Sequence, residues 1–228
     1  FTEHATPVPR GHNLEVEGDN GGPLLMKILT EAVQSRQVDV HYDSRALTLI
    51  SNDKGEVEGI VVRIDQQEKT VRARKGVILC AGGFCMNEAM VRKYAPTFDR
   101  GLIPIANPGD TGSGILMGMG VGAGTTNMHE CFVSLPYYPP ASLTYGILIN
   151  DKAQRFINED CYHGRVGYNA LMAQRNAQRI YFITDVEGYG DYEKMSYLGA
   201  QVAGTGDSVV ELEQELELPA GSLQHTVS

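Results

Sequence analysis

A mixed α/β fold, α+β overall, is predicted by three features of the sequence. An amphipathic helical pattern begins at Pro23, with Leu24, Leu25, Ile28, Leu29 and Ala32 recurring at i, i+3 and i+4. A run of short alternating segments between Ala46 and Ala73 reads as an antiparallel β-meander. A continuously apolar run, Gly76-Val77-Ile78-Leu79-Cys80, ends at Ala81-Gly82-Gly83 and reads as a strand buried on both faces of a parallel sheet.

The elements follow in order. Residues before Pro23 are rich in Pro and Gly and are expected to be loop. Pro23 suits the first turn of the first helix. Val38–Tyr42 reads as a strand. Ala46–Ile50 and Val57–Ile64 flank the turn Asn52-Asp53-Lys54-Gly55, and Val71 and Ala73 add a third strand. Cys80 is expected to be a buried, inert thiol. Asn87 caps a helix over Glu88–Tyr94, which must stop before Pro96. A glycine-rich loop, Pro108–Gly114, leads into apolar Ile115–Met119. Texture changes near Thr125, which is taken as the boundary between a domain over 1–124 and another over 125–228. Beyond it, Phe132–Pro140 is aromatic and Pro-rich, Ile147–Asn150 and Arg155–Ile157 flank a turn, and a helix is predicted over Tyr168–Gln178. Arg179–Thr184 reads as a strand, Asp207 or Ser208 starts a last helix, and Ser208 with Glu211 has capping-box spacing.

Composition excludes several classes. The 28 acidic against 19 basic residues leave a formal charge of −9, which opposes nucleic acid and anionic membranes as partners. No apolar run reaches the ~20 residues of a membrane span, so no transmembrane segment is expected. The cysteines Cys80, Cys85, Cys131 and Cys161 form no CxxC and no zinc-finger spacing, so no metal is expected. No signal peptide is visible, and a reducing, cytoplasmic setting is expected. Glycine is in excess, 26 of 228 residues, so backbone must turn sharply or approach something closely at several places.

Gly118-x-Gly120-x-x-Ala123 fits the dinucleotide expression but follows a helical segment where the fingerprint needs a strand, so it reads as helix packing. The strand ending in Ala81-Gly82-Gly83 has two readings: bare backbone approaching a ligand, or a tight turn. Asn158–Arg165 is the densest chemical cluster, with an acid pair, Tyr162, His163 and Arg165 within eight residues. No GxSxG supports a serine hydrolase.

Residues 76–84, GVILCAGGF, followed by Asn87-Glu88 and Tyr94-Ala95-Pro96, resemble a stretch of the fumarate reductase/succinate dehydrogenase flavoproteins. That group includes the 3-ketosteroid dehydrogenases. Residues 109–117, GDTGSGILM, with Gly122-Ala123, resemble its second glycine-rich segment. Residues 147–150, ILIN, and 155–159, RFINE, resemble a third, and 211–227 a fourth. The resemblance implies part of a Rossmann-like FAD-binding domain followed by part of an α+β capping, catalytic domain. The group's opening strand–GxGxxG–helix and its C-terminal return are not in this sequence, which therefore resembles an internal piece of a longer enzyme.

By resemblance, FAD lies against Ala81, Gly82, Gly83, Asp110, Thr111, Gly112, Ser113 and Gly114. Fumarate reductases carry an Arg four residues after the Glu of their third segment; here that residue is His163, preceded by Tyr162. The resemblance thus implies a CH–CH oxidoreductase with hydride passing to flavin N5 and a proton to Tyr162 or His163, Arg165 assisting. Tyr137 and Tyr138 would line a pocket for an apolar, ketosteroid-like ketone. Two alternatives stay open: a small carboxylate as substrate, or an inactive piece needing another polypeptide for FAD. The electron acceptor is left open.

Overall fold

The computed structural model describes residues 14, 16, 17, 21–99, 103–135, 146–159, 161–175, 179–195 and 201–228. The chain divides into two units, Gly11–Cys131 and Phe132–Ser228, the latter grouped with residues 1–10.

The first unit opens on α1 (Gly21–Ser35), whose start lies two residues before Pro23. Then come β1 (Arg45–Ser51), β2 (Val57–Ile64) and β3 (Gln67–Arg72), an antiparallel meander in the order β1-β2-β3. Asn52 builds the first turn: its Oδ1 accepts from the N–H groups of Lys54 and Glu56, both at 3.0 Å. Gly55 completes that turn at φ 80°. Asp65 and Gln66, both at positive φ, make the two-residue turn into β3. These three strands match the expected meander.

Two expected strands do not form. Val38–Tyr42 is exposed and outside any ladder. Gly76–Cys80 is extended but unpaired, with Ile78 88% exposed and Cys80 exposed rather than buried. A doubly buried strand needs neighbours on both sides, and no strand among the described residues pairs with either segment. The buried thiol among the described cysteines is Cys161.

After this run come α2 (Glu88–Tyr94), a 3₁₀ turn at Pro96–Phe98 and α3 (Ser113–Gly120), which packs on β1. Asn87 caps α2 as expected, its Oδ1 accepting from the Met90 N–H at 3.1 Å. Gly118 and Gly120 fall inside α3 with no strand before them, in keeping with their reading as helix glycines.

The second unit is built on a two-stranded antiparallel sheet, β4 (Ile147–Asn150) with β5 (Ile180–Ile183). Alternation along β4 sends Leu148 and Ile149 to opposite faces. Leu148 packs with Cys161 and Val166 from α4 (His163–Ala173). Ile149 packs with Leu216, Leu218 and Leu223. Those leucines come from the end of α6 (Val209–Glu215), the loop after it, and α7 (Ser222–Val227). Between these elements lies α5 (Val186–Met195), which the periodicity did not signal.

Two expectations are corrected. Helix α4 starts at His163, five residues before Tyr168, so His163 and Arg165 of the polar cluster fall in its first turn while Asn158, Glu159 and Tyr162 precede it. Gly164 and Gly167 conceal that start, since glycine disfavours helix interiors. Here they are required: a Cβ at Gly164 would strike the Phe132 ring, and one at Gly167 the backbone of Val133. The C-terminal helix is two helices, α6 and α7, joined through Gly221 at φ 79°. Ser208 does cap α6, accepting from the Glu211 N–H at 3.2 Å, while Glu211 reaches back to the Asp207 N–H.

Glu213 ties α6 to α7. It is 3% exposed and accepts from the N–H groups of Gly221 at 2.6 Å and Leu223 at 2.8 Å, and from Gln224 Nε2 at 3.2 Å. The Gly221 N–H bond does most to hold its carboxyl below the usual 4.5; burial opposes this, and the Leu223 and Gln224 bonds add to it. Because the folded value is depressed, its stabilisation is present above 4.5 and lost as pH falls through the folded value. Glu213→Gln is therefore expected to be less stable than wild type at neutral pH. Chemical unfolding at stepped pH should show that gap closing in acid. A gap that is constant with pH would refute the assignment.

Candidate functional site

The first candidate site is assembled from two loops far apart in sequence. Ala81-Gly82-Gly83 lies against Asp110–Gly114, where α3 begins. Asp110 joins them: its Oδ1 accepts from the Gly83 N–H and its Oδ2 from the Asn107 N–H, both at 3.1 Å. The Gly112 N–H donates to the Gly83 carbonyl at 2.8 Å, and the Met86 N–H to the Asp110 carbonyl at 3.0 Å. Asn87, already capping α2, donates through Nδ2 to the Thr111 carbonyl at 2.9 Å. Four of these bonds join the two glycine-rich segments, and the fifth, from Asn107 to Asp110, braces the second segment.

The glycines do different work within it. Gly82 has φ 71°, and a Cβ there would overlap the Asp110 carboxylate. Gly112, at φ 76° and buried, would overlap the Met90 sulfur and stand 2.9 Å from Phe84 Cβ. A Cβ on Gly114 would press on Ala81 Cβ at 3.0 Å. Only Gly83, of these four, has open space where a Cβ would stand. Three of the glycines thus let protein pack on protein, and one keeps a bare face open.

The first-turn N–H groups of α3, from Ser113, Gly114 and Ile115, have no intrahelical acceptor. They and the helix dipole favour an electron-rich group. Beside them runs a groove of about 310 Å³ lined by Gly114, Ile115, Gly118, Met119, Ala123 and Met128 among others. Its apolar lining and donor-bearing end fit a flavin nucleotide, which joins a planar ring to anionic and carbonyl groups. Met119 and Met128 were not singled out by the sequence. Their only signal is position in and after α3, since a lone Met carries no motif. Asn87 and Asn107 were likewise unread as loop ties.

The second candidate site lies at the start of α4. Tyr162 precedes the helix, its carbonyl accepting from the N–H groups of Arg165 at 2.8 Å and Val166 at 3.1 Å. The ring of Tyr162 is 45% exposed and meets Phe132 edge-on, centroids 6.4 Å apart. His163 is the first residue of α4. Tyr137 and Tyr138 lie outside the described residues.

Arg155 and Glu159 precede this turn in sequence. Glu159 is buried; its Oε1 accepts from the Leu148 N–H at 2.8 Å and its Oε2 from Arg155 Nη2 at 2.6 Å. They hold the β4 hairpin, where Arg155 also bridges to Ile149. Asn150 closes that hairpin, its Oδ1 accepting from the Lys152 and Gln154 N–H groups at 2.9 and 3.0 Å.

Among the described residues no helix is long and apolar enough to cross a membrane, and no cluster of three His, Cys, Asp or Glu could hold a metal.

Interlocked glycine loops, a helix N-terminus without a side-chain cap and an adjoining groove suit a nucleotide cofactor, and comparison with known proteins sets the chain among flavoproteins of α/β class. The model of the FAD binding domain family FAD_binding_2 matches residues 5–227, and the chain belongs to that family. FAD is the cofactor of this family. The 3-ketosteroid-Δ4-(5α)-dehydrogenase of Rhodococcus jostii RHA1, solved with 4-androstene-3,17-dione, is 36% identical with a TM-score of 0.86, over 100% of this chain and 48% of that one. The fumarate reductase (cytochrome) of Shewanella frigidimarina is 27% identical over 92% of this chain and 38% of that protein. The 3-oxosteroid 1-dehydrogenase of Mycolicibacterium smegmatis is 29% identical over 80% of this chain and 37% of that protein. The chain spans less than half the length of each of these relatives.

Proposed function

We infer that the chain is part of an FAD-dependent CH–CH oxidoreductase that dehydrogenates a ketosteroid-like substrate. In this reading residues 1–124 belong to the FAD domain and 125–228 to the capping domain. The observation that carries it is the 36% identity to the Rhodococcus ketosteroid dehydrogenase over the whole chain, against 27% to the Shewanella fumarate reductase.

Ala81–Gly83 and Asp110–Gly114 form the frame for the cofactor, with the N–H groups of Ser113 and Gly114 at its electron-rich groups. FAD, when bound, supplies the acceptor for a hydride at N5. Tyr162 or His163 takes the proton from the carbon next to the substrate carbonyl, which acidifies it. Arg165 assists by favouring the developing enolate charge. Tyr137 and Tyr138, which lie outside the described residues, are the side chains whose chemistry would suit an apolar, planar ketone.

A small dicarboxylate would need cationic clamps. The residue four after Glu159, an Arg in fumarate reductases, is His163 here, which supports the ketone. The full-length protein, assayed by dye-linked oxidation of 3-ketosteroids and by fumarate reduction, tests the reading. Steroid oxidation is expected, falling about 100-fold or more in His163→Ala or Tyr162→Phe, the usual range for a lost general base. Turnover of fumarate alone would overturn the substrate. Full activity in both variants would overturn the proton-transfer assignment.

A further inference from the structure

Asp110 lies in the second glycine-rich loop, where a carboxylate would ordinarily be read as a cofactor ligand. The geometry points to another task. We propose that Asp110 is a positioning residue: its carboxylate latches the Ala81-Gly82-Gly83 loop so that the bare face of Gly83 meets the flavin. This rests on the FAD reading of the site given above.

Both carboxylate oxygens already accept backbone N–H groups, Oδ1 from Gly83 across 27 residues of sequence and Oδ2 from Asn107. With the Gly112 N–H on the Gly83 carbonyl, both polar backbone groups of Gly83 are engaged by protein. Gly83 is then a flat wall rather than a donor, which agrees with the open space at its missing Cβ. The latch also dictates the neighbouring residue. Because Asp110 Oδ1 occupies the place a Gly82 Cβ would take, position 82 must be glycine, and its φ of 71° favours glycine independently. A carboxylate accepting N–H bonds is a stiff tie, stronger than a neutral acceptor. It holds the loop before the cofactor arrives, which removes an ordering cost from binding.

The test uses the full-length protein stripped of flavin and refilled with FAD. Affinity is measured by calorimetry, and the bound flavin by its visible circular dichroism and fluorescence quenching. Asp110→Ala is expected to weaken FAD binding about tenfold to 100-fold, the range for one bond to a charged group, and to flatten the flavin dichroism. Asp110→Asn keeps an acceptor for the Gly83 N–H and should recover the dichroism with an intermediate affinity. Leu49→Ala, in β1 and outside the latch, serves as a destabilised control. Equal affinity and equal dichroism in wild type and Asp110→Ala would overturn the proposal. So would an equal loss in Leu49→Ala at matched melting temperature, or no rescue by Asp110→Asn. If wild type itself takes up no FAD, the flavin reading fails instead, and the two failures are distinct.

Discussion

Glu159→Ala is expected to lower the unfolding free energy by about 2–3 kcal/mol, the sum of an orphaned buried N–H and a lost charge-assisted bond after discount. The Leu148 N–H sits in the core beside Cys161 and Val166, and Glu159 Oε1 is its acceptor at 2.8 Å. Without the carboxylate that donor stays dry and unpaired. The bond to Arg155 is short, at 2.6 Å, but that guanidinium side chain is 45% exposed and recovers solvation, so its loss counts for less. Glu159→Gln keeps an acceptor for Leu148 and should cost only about 1 kcal/mol. Urea unfolding followed by circular dichroism separates the two variants. Equal costs would show that the charge, not the acceptor, matters.

Gly112→Ala and Gly83→Ala should part company. At Gly112 the left-handed φ of 76° strains any L-residue, and the added methyl meets Phe84 Cβ at 2.9 Å. Met90 can swing its flexible end away; Phe84 Cβ cannot. Together these should cost about 3 kcal/mol, adding roughly 1–2 for the left-handed backbone to an overpacking term of similar size. At Gly83 the space is open and φ is not positive, so Gly83→Ala should leave stability unchanged or raise it by up to about 1 kcal/mol. Its loss should appear in FAD affinity, because the methyl stands on the bare face. Melting temperature and FAD titration of both variants check this. A destabilised Gly83→Ala that binds FAD normally would reverse the roles of the two glycines.

These contrasts mark how far the sequence reaches. The meander was legible because alternation and the Asn52–Gly55 turn are local signals. The caps at Asn87 and Ser208 were legible for the same reason. The glycine loops were legible as motifs, and their resemblance already implied FAD. The start of α4 was hidden, because Gly164 and Gly167 look like breakers until Phe132 and Val133 are seen against them. Gly76–Cys80 was misread as a formed strand, because an apolar run announces a wish for burial and says nothing of whether partners are beside it.

By itself, then, the sequence determined the family, the cofactor and the residues that draw the two loops into notice. Those depend on residue type and spacing along the chain. Tertiary structure alone decided the division of labour among them. That Asp110 turns inward to Gly83, that Gly112 packs on Met90, and that Gly83 stays open all depend on what lies opposite, and contacts across 27 residues leave no periodic trace in the chain.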